Sequence, residues 1–244
     1  MNVTLATGAG AVLFAATFLF GGHVHPLRAV VRDRRSIVSF CAGMAAAYVF
    51  VHLMPELNSA RGAFAESVSV PLRYEGMAIY YLALVGFLIF YGLEVLKGYL
   101  KETVEEEGKA GLAFKLHVGG FAAYVWVMAY LLVRNLDEAR FSIALYVVAI
   151  GSHFLALDHS LREEHGNAYE RIGRPLLAGM CLLGWGVGLL LPLPKYALAL
   201  LVALISGAII MNSTIMEMPS EKDGRFVPFM VGGLVYGLML LPLG

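Results

Sequence analysis

The fold of this chain is decided by residues 42–56, which read AGMAAAYVFVHLMPE. A small residue and a glycine open the stretch, and Met54-Pro55 close it. Residues 206–220, SGAIIMNSTIMEMPS, repeat the arrangement, with proline again twelve positions after glycine. Apolar runs that contain small residues and end in proline are typical of membrane helices, because neighbouring helices satisfy the freed backbone groups. The two stretches therefore predict a pair of related membrane helices.

The composition agrees with a membrane protein. Of the 244 residues, 59% are hydrophobic and 15% are charged, with a mean hydropathy of +0.73. A soluble domain has roughly half its residues apolar and about a quarter charged. The 18 Lys and Arg balance the 18 Asp and Glu, which excludes the basic excess that nucleic-acid binding needs. Cys41 and Cys181 lie inside apolar runs, which excludes a disulfide framework or a Cys-rich zinc site.

Eight segments of the chain are apolar and long enough to be membrane spans, since a helix needs about 20 apolar residues to cross the hydrocarbon core. The first span lacks a basic leader and a small-residue cleavage site, so we interpret it as a retained helix. We predict an all-α polytopic protein in which residues 1–244 form one transmembrane domain. The predicted spans are 4–25, 36–55, 77–96, 116–134, 141–161, 173–192, 196–217 and 226–243.

The distribution of basic residues predicts the orientation in the membrane. Cytoplasmic loops carry the excess of Lys and Arg. The loops after spans 1, 3, 5 and 7 hold 13 such residues, against 5 on the other side. We therefore expect a multi-pass protein of the cell (inner) membrane with both termini outside the cytoplasm.

The repeat extends beyond the first pair of helices. Tyr91-Gly92-Leu93 in span 3 matches Tyr236-Gly237-Leu238 in span 8. Spans 2 and 7 run in opposite directions by the charge count, so spans 1–3 and 6–8 form an inverted repeat. Inverted repeats with broken or proline-ended helices are common in transporters. Small-residue and proline patterns are also frequent in membrane helices without any repeat.

Histidine and acidic residues inside the spans are candidate site residues, because ionisable groups in a bilayer are costly. His153 lies near the middle of span 5 and is either a metal ligand, a proton relay or a hydrogen-bonded core histidine. Asp158 and His159 follow it on other helical faces. Asp158 is either a metal ligand or the i,i+4 ion-pair partner of Arg162.

Further polar residues are expected at the two membrane rims. His52 and Glu56 lie one turn apart at the outer rim, where they would receive a cation. The inner rim holds residues that are either an ion exit, a metal site or ordinary interfacial side chains: His23, His25, His117, His159, His165, Arg174 and Glu217.

The layout resembles the ZIP family of divalent-metal transporters. The resemblance is carried by eight spans, by HLMPEL at residues 52–57, by the likeness of span 7 to span 2, and by RPLLAG at residues 174–179. It implies an eight-helix fold, a transport site on spans 4, 5 and 6, and a homodimer, which the small patch Gly232-Gly233 would allow.

The family's motifs are only partly present. HVGGF (residues 117–121) keeps a histidine of the motif on the fourth helix but lacks its Asn and acid, and HFLALD (residues 153–158) keeps the first histidine of the motif on the fifth. Arg174 replaces the carboxylate expected on the sixth. A two-metal site needs several carboxylates, so the resemblance implies a reduced site with one divalent cation, zinc or similar, and the ligands His153, Asp158, His159 and His117.

Three functions remain open on the sequence. The leading hypothesis is a ZIP-like protein that transports or senses a divalent cation. Entry would involve His52 and Glu56, His153 would be the central ligand, and release would pass Asp158, His159 and Glu217, with Arg174 also on the transport pathway. The second is an intramembrane zinc hydrolase, in which His153, Asp158, His159 and His165 activate a water. The third is a non-transporting binding or scaffold protein. Haem is disfavoured, because His153 has no second histidine at its depth.

Overall fold

The computed structural model describes residues 3–21, 34–67, 75–102, 107–134, 140–216, 218 and 224–241. Almost all of these residues are helical, and none is in a strand. We number the α-helices of this part of the chain α1 to α9. Their bounds are Val3–Phe20, Arg34–Ala47, Met54–Ser67, Glu75–Glu102, Glu107–Arg134, Arg140–Ala168, Arg174–Leu190, Lys195–Met211 and Phe226–Leu240.

The prediction of an all-helical chain is confirmed for the described residues, and their helices are compatible with a membrane protein. Within the described residues, six helical stretches are apolar and long enough to cross a membrane, and α9 is a shorter apolar helix. The third stretch, Met77–Leu100, has only 17% of its residues buried, so most of its surface faces away from the protein. The stretch Ile143–Leu190 is 48 residues long and contains both α6 and α7.

The chain reverses direction at Gly166, inside this long stretch. Gly166 has a φ of 49°, which favours glycine. Beyond it, the Tyr169 hydroxyl donates to Asp158 Oδ1 over 2.9 Å. A straight helix would separate these two residues by about 16 Å, so the contact requires a sharp reversal between them.

Contacts with α1 give the directions of the two helices on either side of the reversal. Gly10 and Gly21 lie against Val147 and Asp158 of α6, so α1 and α6 run parallel. On the other side, the Trp185 indole donates to Thr7 over 3.2 Å. Arg174, eleven residues earlier in α7, donates to the Phe18 carbonyl over 2.8 Å. α7 therefore runs antiparallel to α1 and to α6.

Two of the helix crossings have a glycine at the contact on each helix. A Cβ on Gly43 of α2 would overlap the Phe229 carbonyl, and a Cβ on Gly232 of α9 would overlap the Phe40 carbonyl. In the second crossing, Gly86 of α4 meets the Leu204 carbonyl and Gly207 of α8 meets the Ala83 carbonyl. In both, each glycine meets the carbonyl three residues before its partner glycine. Small residues at such points let two backbones approach closely.

The Gly232-Gly233 patch, expected to allow a dimer, is used within the chain. Gly233 lies against the backbone of Gly43. A homodimer stays a prediction, and it would require a different surface.

A π-helical segment follows each of the two repeated glycines. Tyr48–Leu53 lies between α2 and α3, and Asn212–Met216 follows α8. Each segment begins five residues after its glycine, Gly43 or Gly207. π-Helical turns are rare and often occur at functional sites. The similarity of residues 42–56 to residues 206–220 therefore extends to backbone conformation.

Candidate metal centre

Five polar residues meet where one end of α4 lies beside ends of α5 and α6. They are Glu94, Lys97, His117, Glu164 and His165, and we call them the His117 cluster. α4 and α5 pack antiparallel there, with Phe90 against Tyr124 and Glu94 against His117. Glu164 and His165 are the last two residues of α6 before Gly166, so the reversal fixes where they lie.

His117 is the central residue of the cluster and is 1% exposed. Its Nε2 lies 2.6 Å from Glu94 Oε1, and its Nδ1 lies 2.9 Å from His165 Nε2. A carboxylate only accepts hydrogen bonds, so Nε2 carries the proton and Nδ1 has the lone pair. Nδ1 then accepts a hydrogen bond from His165. This arrangement presents a fixed nitrogen ligand, since a carboxylate on the far nitrogen orients metal-binding imidazoles in many proteins.

Glu164 brings a carboxylate to the same point. One of its oxygens lies 3.6 Å from His117 Nδ1. One ligand atom each from His117, Glu164 and His165 lies within 4.8 Å of the other two. No other group of three such side chains was found in the part of the chain that the structure describes.

Two of the three ligand-atom separations are close to those around one tetrahedral ion. Zinc binds nitrogen and oxygen ligands at about 2.0–2.2 Å, which puts tetrahedral ligand atoms about 3.4 Å apart. The separation of 3.6 Å between His117 Nδ1 and Glu164 is close to this value, and the 2.9 Å between the two histidines would widen by about half an ångström. His165 would also move its proton to Nδ1. The residues therefore fit a zinc-like ion with one further ligand from water or substrate.

Lys97 lies among the carboxylates of the cluster. Its ammonium pairs with Glu94 and lies 3.0 Å from each oxygen of Glu164. Lys97 is only 9% exposed, so these charges are mostly removed from solvent. A buried charge requires a partner at hydrogen-bonding distance, and the two carboxylates provide one on each side.

Aromatic rings border the two histidines. Phe121 packs on His117 at a centroid distance of 5.0 Å, and Phe114 packs on His165 at 5.3 Å. Both ring pairs are edge-to-face. Such packing limits the rotation of the imidazoles and keeps the local environment apolar, which strengthens electrostatic interactions in the cluster.

His153, the predicted central ligand, belongs to a different environment. It is 6% exposed, and its Nε2 lies 2.8 Å from the Tyr124 hydroxyl. Tyr124 is seven residues from His117 on α5, which is about 10 Å along the helix. Phe154 and Tyr124 pack around the imidazole. The structure therefore does not bring His153 together with His117.

Asp158 has two arginines and a tyrosine as partners. It forms an ion pair with Arg162, accepts a hydrogen bond from Tyr169, and lies 3.8 Å from Arg174 Nε. The ion pair with Arg162 is the alternative that the i,i+4 spacing left open. Arg174 also donates to the carbonyls of Phe18 and Leu19 at the end of α1, where helical carbonyls lack partners. These contacts join α1, α6 and α7.

The remaining predicted site residues lie apart from the cluster. His159 pairs with Glu163 over 3.2 Å, and its side chain is 38% exposed. His52 and Glu56 lie 3.8 Å apart on one helical face, as their spacing predicts. His23, His25 and Glu217 lie outside the described residues. His153, Asp158, His159 and His165 each have different partners, so the ligand set of the hydrolase hypothesis is not assembled.

Sequence reasoning did not select three residues of the cluster. Glu94 lies inside predicted span 3, and an acidic residue there should itself have indicated a site. Lys97 directly follows predicted span 3 and is one of the basic residues counted in the loop after it, but its i,i+3 spacing from Glu94 allows an ion pair. Glu164 had no signal of its own, since it follows Glu163 in a polar run. Only His117 and His165 were already candidates.

The comparisons with known proteins give no family. No protein-family model matches the chain, and no curated protein is significantly similar to it. The fold and the His117 cluster are therefore the basis for a function.

Proposed function

We propose that this chain is a ZIP-like integral membrane protein that binds one divalent cation, zinc or similar, and transports or senses it. The binding site is the His117 cluster, with His117, Glu164 and His165 as protein ligands. Glu94 orients His117 from the far side of the ring. The proposal keeps one histidine of the predicted ligand set and replaces His153, Asp158 and His159.

The observation that carries the proposal is the convergence of two imidazoles and a carboxylate on one point. Their ligand atoms all lie within 4.8 Å of one another, although His117 and His165 are on different helices. Imidazole nitrogens suit zinc, copper, iron and nickel, and a carboxylate adds negative charge that favours a dication. Imidazoles with two nearby carboxylates are a ligand set for a metal cation and not for an anion or an apolar molecule.

The backbone supports the inverted repeat and the eight crossings. Gly43 and Gly207 form matching close crossings, and a π-helical segment starts five residues after each. The opposite directions of α6 and α7 agree with two separate crossings by the stretch Ile143–Leu190. An inverted repeat is the architecture in which secondary transporters alternate access to a site between their halves.

In this proposal the His117 cluster lies on the cytoplasmic side of the membrane, because the nearby loops hold the excess of basic residues. Lys97 belongs to the cluster and Arg162 lies two residues before Glu164, and the charge count assigns both basic residues to the cytoplasmic side. The cation would enter from outside past His52 and Glu56 and reach the His117 cluster near the inner surface. A site at that depth suits release into the cytoplasm or sensing of the cytoplasmic ion concentration.

A second candidate is a ZIP-fold protein that binds the ion without moving it. The contacts of Arg174 with Asp158 and with the carbonyls of Phe18 and Leu19 favour this candidate, because they join α1, α6 and α7. Alternating access requires helices to move against one another, and buried ion pairs oppose such movement. Binding without flux would identify this candidate.

The test is metal binding and flux with purified protein. Element analysis and titration calorimetry would use zinc, manganese, iron(II) and cadmium on the wild type, His117→Ala and His165→Ala. His159→Ala is the matched control, since this histidine lies on the same helix as His165 and away from the cluster. We expect one ion per chain in the wild type and control, and a loss of at least a hundredfold in affinity in the other two. Equal binding in all four proteins would refute the site. Uptake into proteoliposomes then separates transport from binding alone.

A further inference from the structure

The Lys97 ammonium contacts both carboxylates of the His117 cluster, those of Glu94 and Glu164. Its ammonium pairs with Glu94 on its own helix and with both oxygens of Glu164 on α6. Glu164 is at the same time a candidate metal ligand, 3.6 Å from His117 Nδ1. The ammonium and a bound dication would therefore share a carboxylate.

The charge of the cluster favours one cation at a time. Two carboxylates and one ammonium leave one net negative charge when the histidines are neutral. Adding a dication beside the ammonium would leave an excess positive charge in a mostly buried place, where unbalanced charge is costly. Exchanging the ammonium for the dication would instead leave the cluster neutral.

Lys97 lies close to the end of its helix. It lies five residues before the end of α4 at Glu102, which is about 7 Å from the helix end. A lysine side chain near a helix end extends along the helix so that its ammonium reaches the polar interface. Lysine is a compact charge on a flexible stem, which makes such an exchange easier than for arginine.

We propose that Lys97 is a tethered counter-cation that holds the metal centre in its ion-free state, and that a divalent cation binds by displacing the Lys97 ammonium from Glu164. This inference rests on the proposed metal site. Lys97 thereby sets the affinity of the centre, since every binding event has to break its ion pairs. It also keeps the two carboxylates together between binding events, so the ligands stay arranged.

The displacement predicts that removing the lysine charge strengthens metal binding. Lys97→Met keeps the length of the side chain and removes the competitor. Lys97→Gln is a second variant that still donates hydrogen bonds to both carboxylates, in case the methionine variant does not fold. Lys97→Arg keeps the charge and binds carboxylates in a bidentate manner, so it is harder to displace. Lys115→Met is the control, because Lys115 is exposed on α5 and outside the cluster.

The experiment is calorimetric titration of zinc into each purified variant, with thermal unfolding measured in metal-free and zinc-loaded protein. We expect Lys97→Met or Lys97→Gln to bind zinc at least tenfold tighter than the wild type, and Lys97→Arg at least threefold weaker. The zinc-induced rise in melting temperature should be larger for Lys97→Met, since its metal-free form lacks the ammonium that pairs with both carboxylates. Lys115→Met should match the wild type within twofold.

The outcomes separate this inference from the proposed function. Wild-type and Lys97→Met affinities that agree within twofold, or a weaker Lys97→Met, would overturn the displacement and leave the metal site standing. Zinc binding by neither protein above the level of His117→Ala would overturn the metal site, and the inference with it. Binding by Lys97→Met alone would overturn both proposals for the natural protein, since zinc would then not displace the wild-type ammonium.

Discussion

His117 and His165 face each other across two helices, with 2.9 Å between Nδ1 of the first and Nε2 of the second, although 48 residues separate them in the chain. The contact forms because α6 ends in a reversal at Gly166, directly after His165. His117 is held from its other side by Glu94. These two imidazoles, with one nitrogen atom of each at this short distance, are the central pair of ligands in the proposed metal centre.

Replacing Glu94 should weaken metal binding although Glu94 is not a ligand. Glu94→Gln keeps an acceptor for His117 Nε2 but removes the charge that orients and polarises the ring. Such outer partners are worth 10–100-fold in metal affinity, so we expect a loss of about tenfold or more by calorimetry. Glu163→Gln is the control, since Glu163 is 65% exposed and pairs with His159. A Glu94→Gln affinity equal to that of the control would contradict this role.

Changes at His153 should affect stability and not metal binding. Tyr124→Phe removes the hydroxyl that hydrogen-bonds His153 Nε2, and an unsatisfied buried polar group costs about 1–3 kcal/mol. We expect that loss in the free energy of unfolding, measured by denaturant titration in detergent. Zinc affinity should stay within threefold for Tyr124→Phe and for His153→Gln. A hundredfold loss of affinity in His153→Gln would restore His153 as the central ligand.

Asp158→Asn should destabilise the protein strongly. The change removes the charge that balances Arg162 and Arg174. Breaking a buried ion pair by removing one partner costs about 3–5 kcal/mol, and the partial exposure of both arginines reduces this to about 2–3 kcal/mol. Thermal unfolding would measure the loss, with Glu163→Gln again as control. Unchanged stability would mean that the contacts of Asp158 do not hold α6 and α7 together.

Local sequence patterns predicted one ion pair near the candidate site but not the residues that form the site. The i,i+4 spacing of Asp158 and Arg162 was enough to raise their ion pair as an alternative, because such pairs are set by one helix. The His117 cluster could not be derived in the same way. It depends on the position of α4 beside α5 and on the reversal at Gly166, and both are tertiary features without a local signal. The buried position of Lys97 is a further example, since a lysine near a predicted helix end is usually a solvated loop charge.

Gly86→Ala should disrupt the crossing of α4 and α8, whereas Gly92→Ala should not. A Cβ at Gly86 would overlap the Leu204 carbonyl, while a Cβ at Gly92 meets nothing within 4 Å. Overpacking of this kind costs about 1–3 kcal/mol. Alanine at the open position of the same helix should be neutral or stabilising by up to about 1 kcal/mol. Thermal unfolding of both variants measures the difference, and equal melting temperatures would contradict the close crossing.

The topology gives a labelling prediction. The test uses a background in which Cys41 and Cys181 are replaced by alanine. Single cysteines are then placed at Asn167 and Lys195, which lie beyond opposite ends of α7 and are both exposed. We expect a membrane-impermeant maleimide to label Lys195→Cys in intact cells and Asn167→Cys only after permeabilisation. Labelling of both in intact cells, or the reverse pattern, would contradict the orientation derived from the basic residues.

The fold was more accessible from sequence than the site, for a physical reason. Apolar length and composition determine whether a segment suits a bilayer, and both can be counted along the chain. The repeated glycine and proline at residues 42–56 and 206–220 also indicated positions that matter, since Gly43 and Gly207 are both at close crossings. The sequence does not predict which helices pack together. Gly43 contacts α9 and Gly207 contacts α4, and no pattern within one helix identifies the neighbouring helix.

The most direct test of the metal centre is X-ray absorption spectroscopy at the zinc edge on zinc-loaded protein. We expect two imidazole nitrogens at about 2.0–2.1 Å from the zinc ion and an oxygen ligand at about 2.0–2.2 Å from it. The His165→Ala variant should have one imidazole ligand fewer. The His159→Ala spectrum should match that of the wild type. A spectrum with no imidazole scattering, or one that is unchanged by His165→Ala, would contradict the assignment of His117, Glu164 and His165 as the ligands.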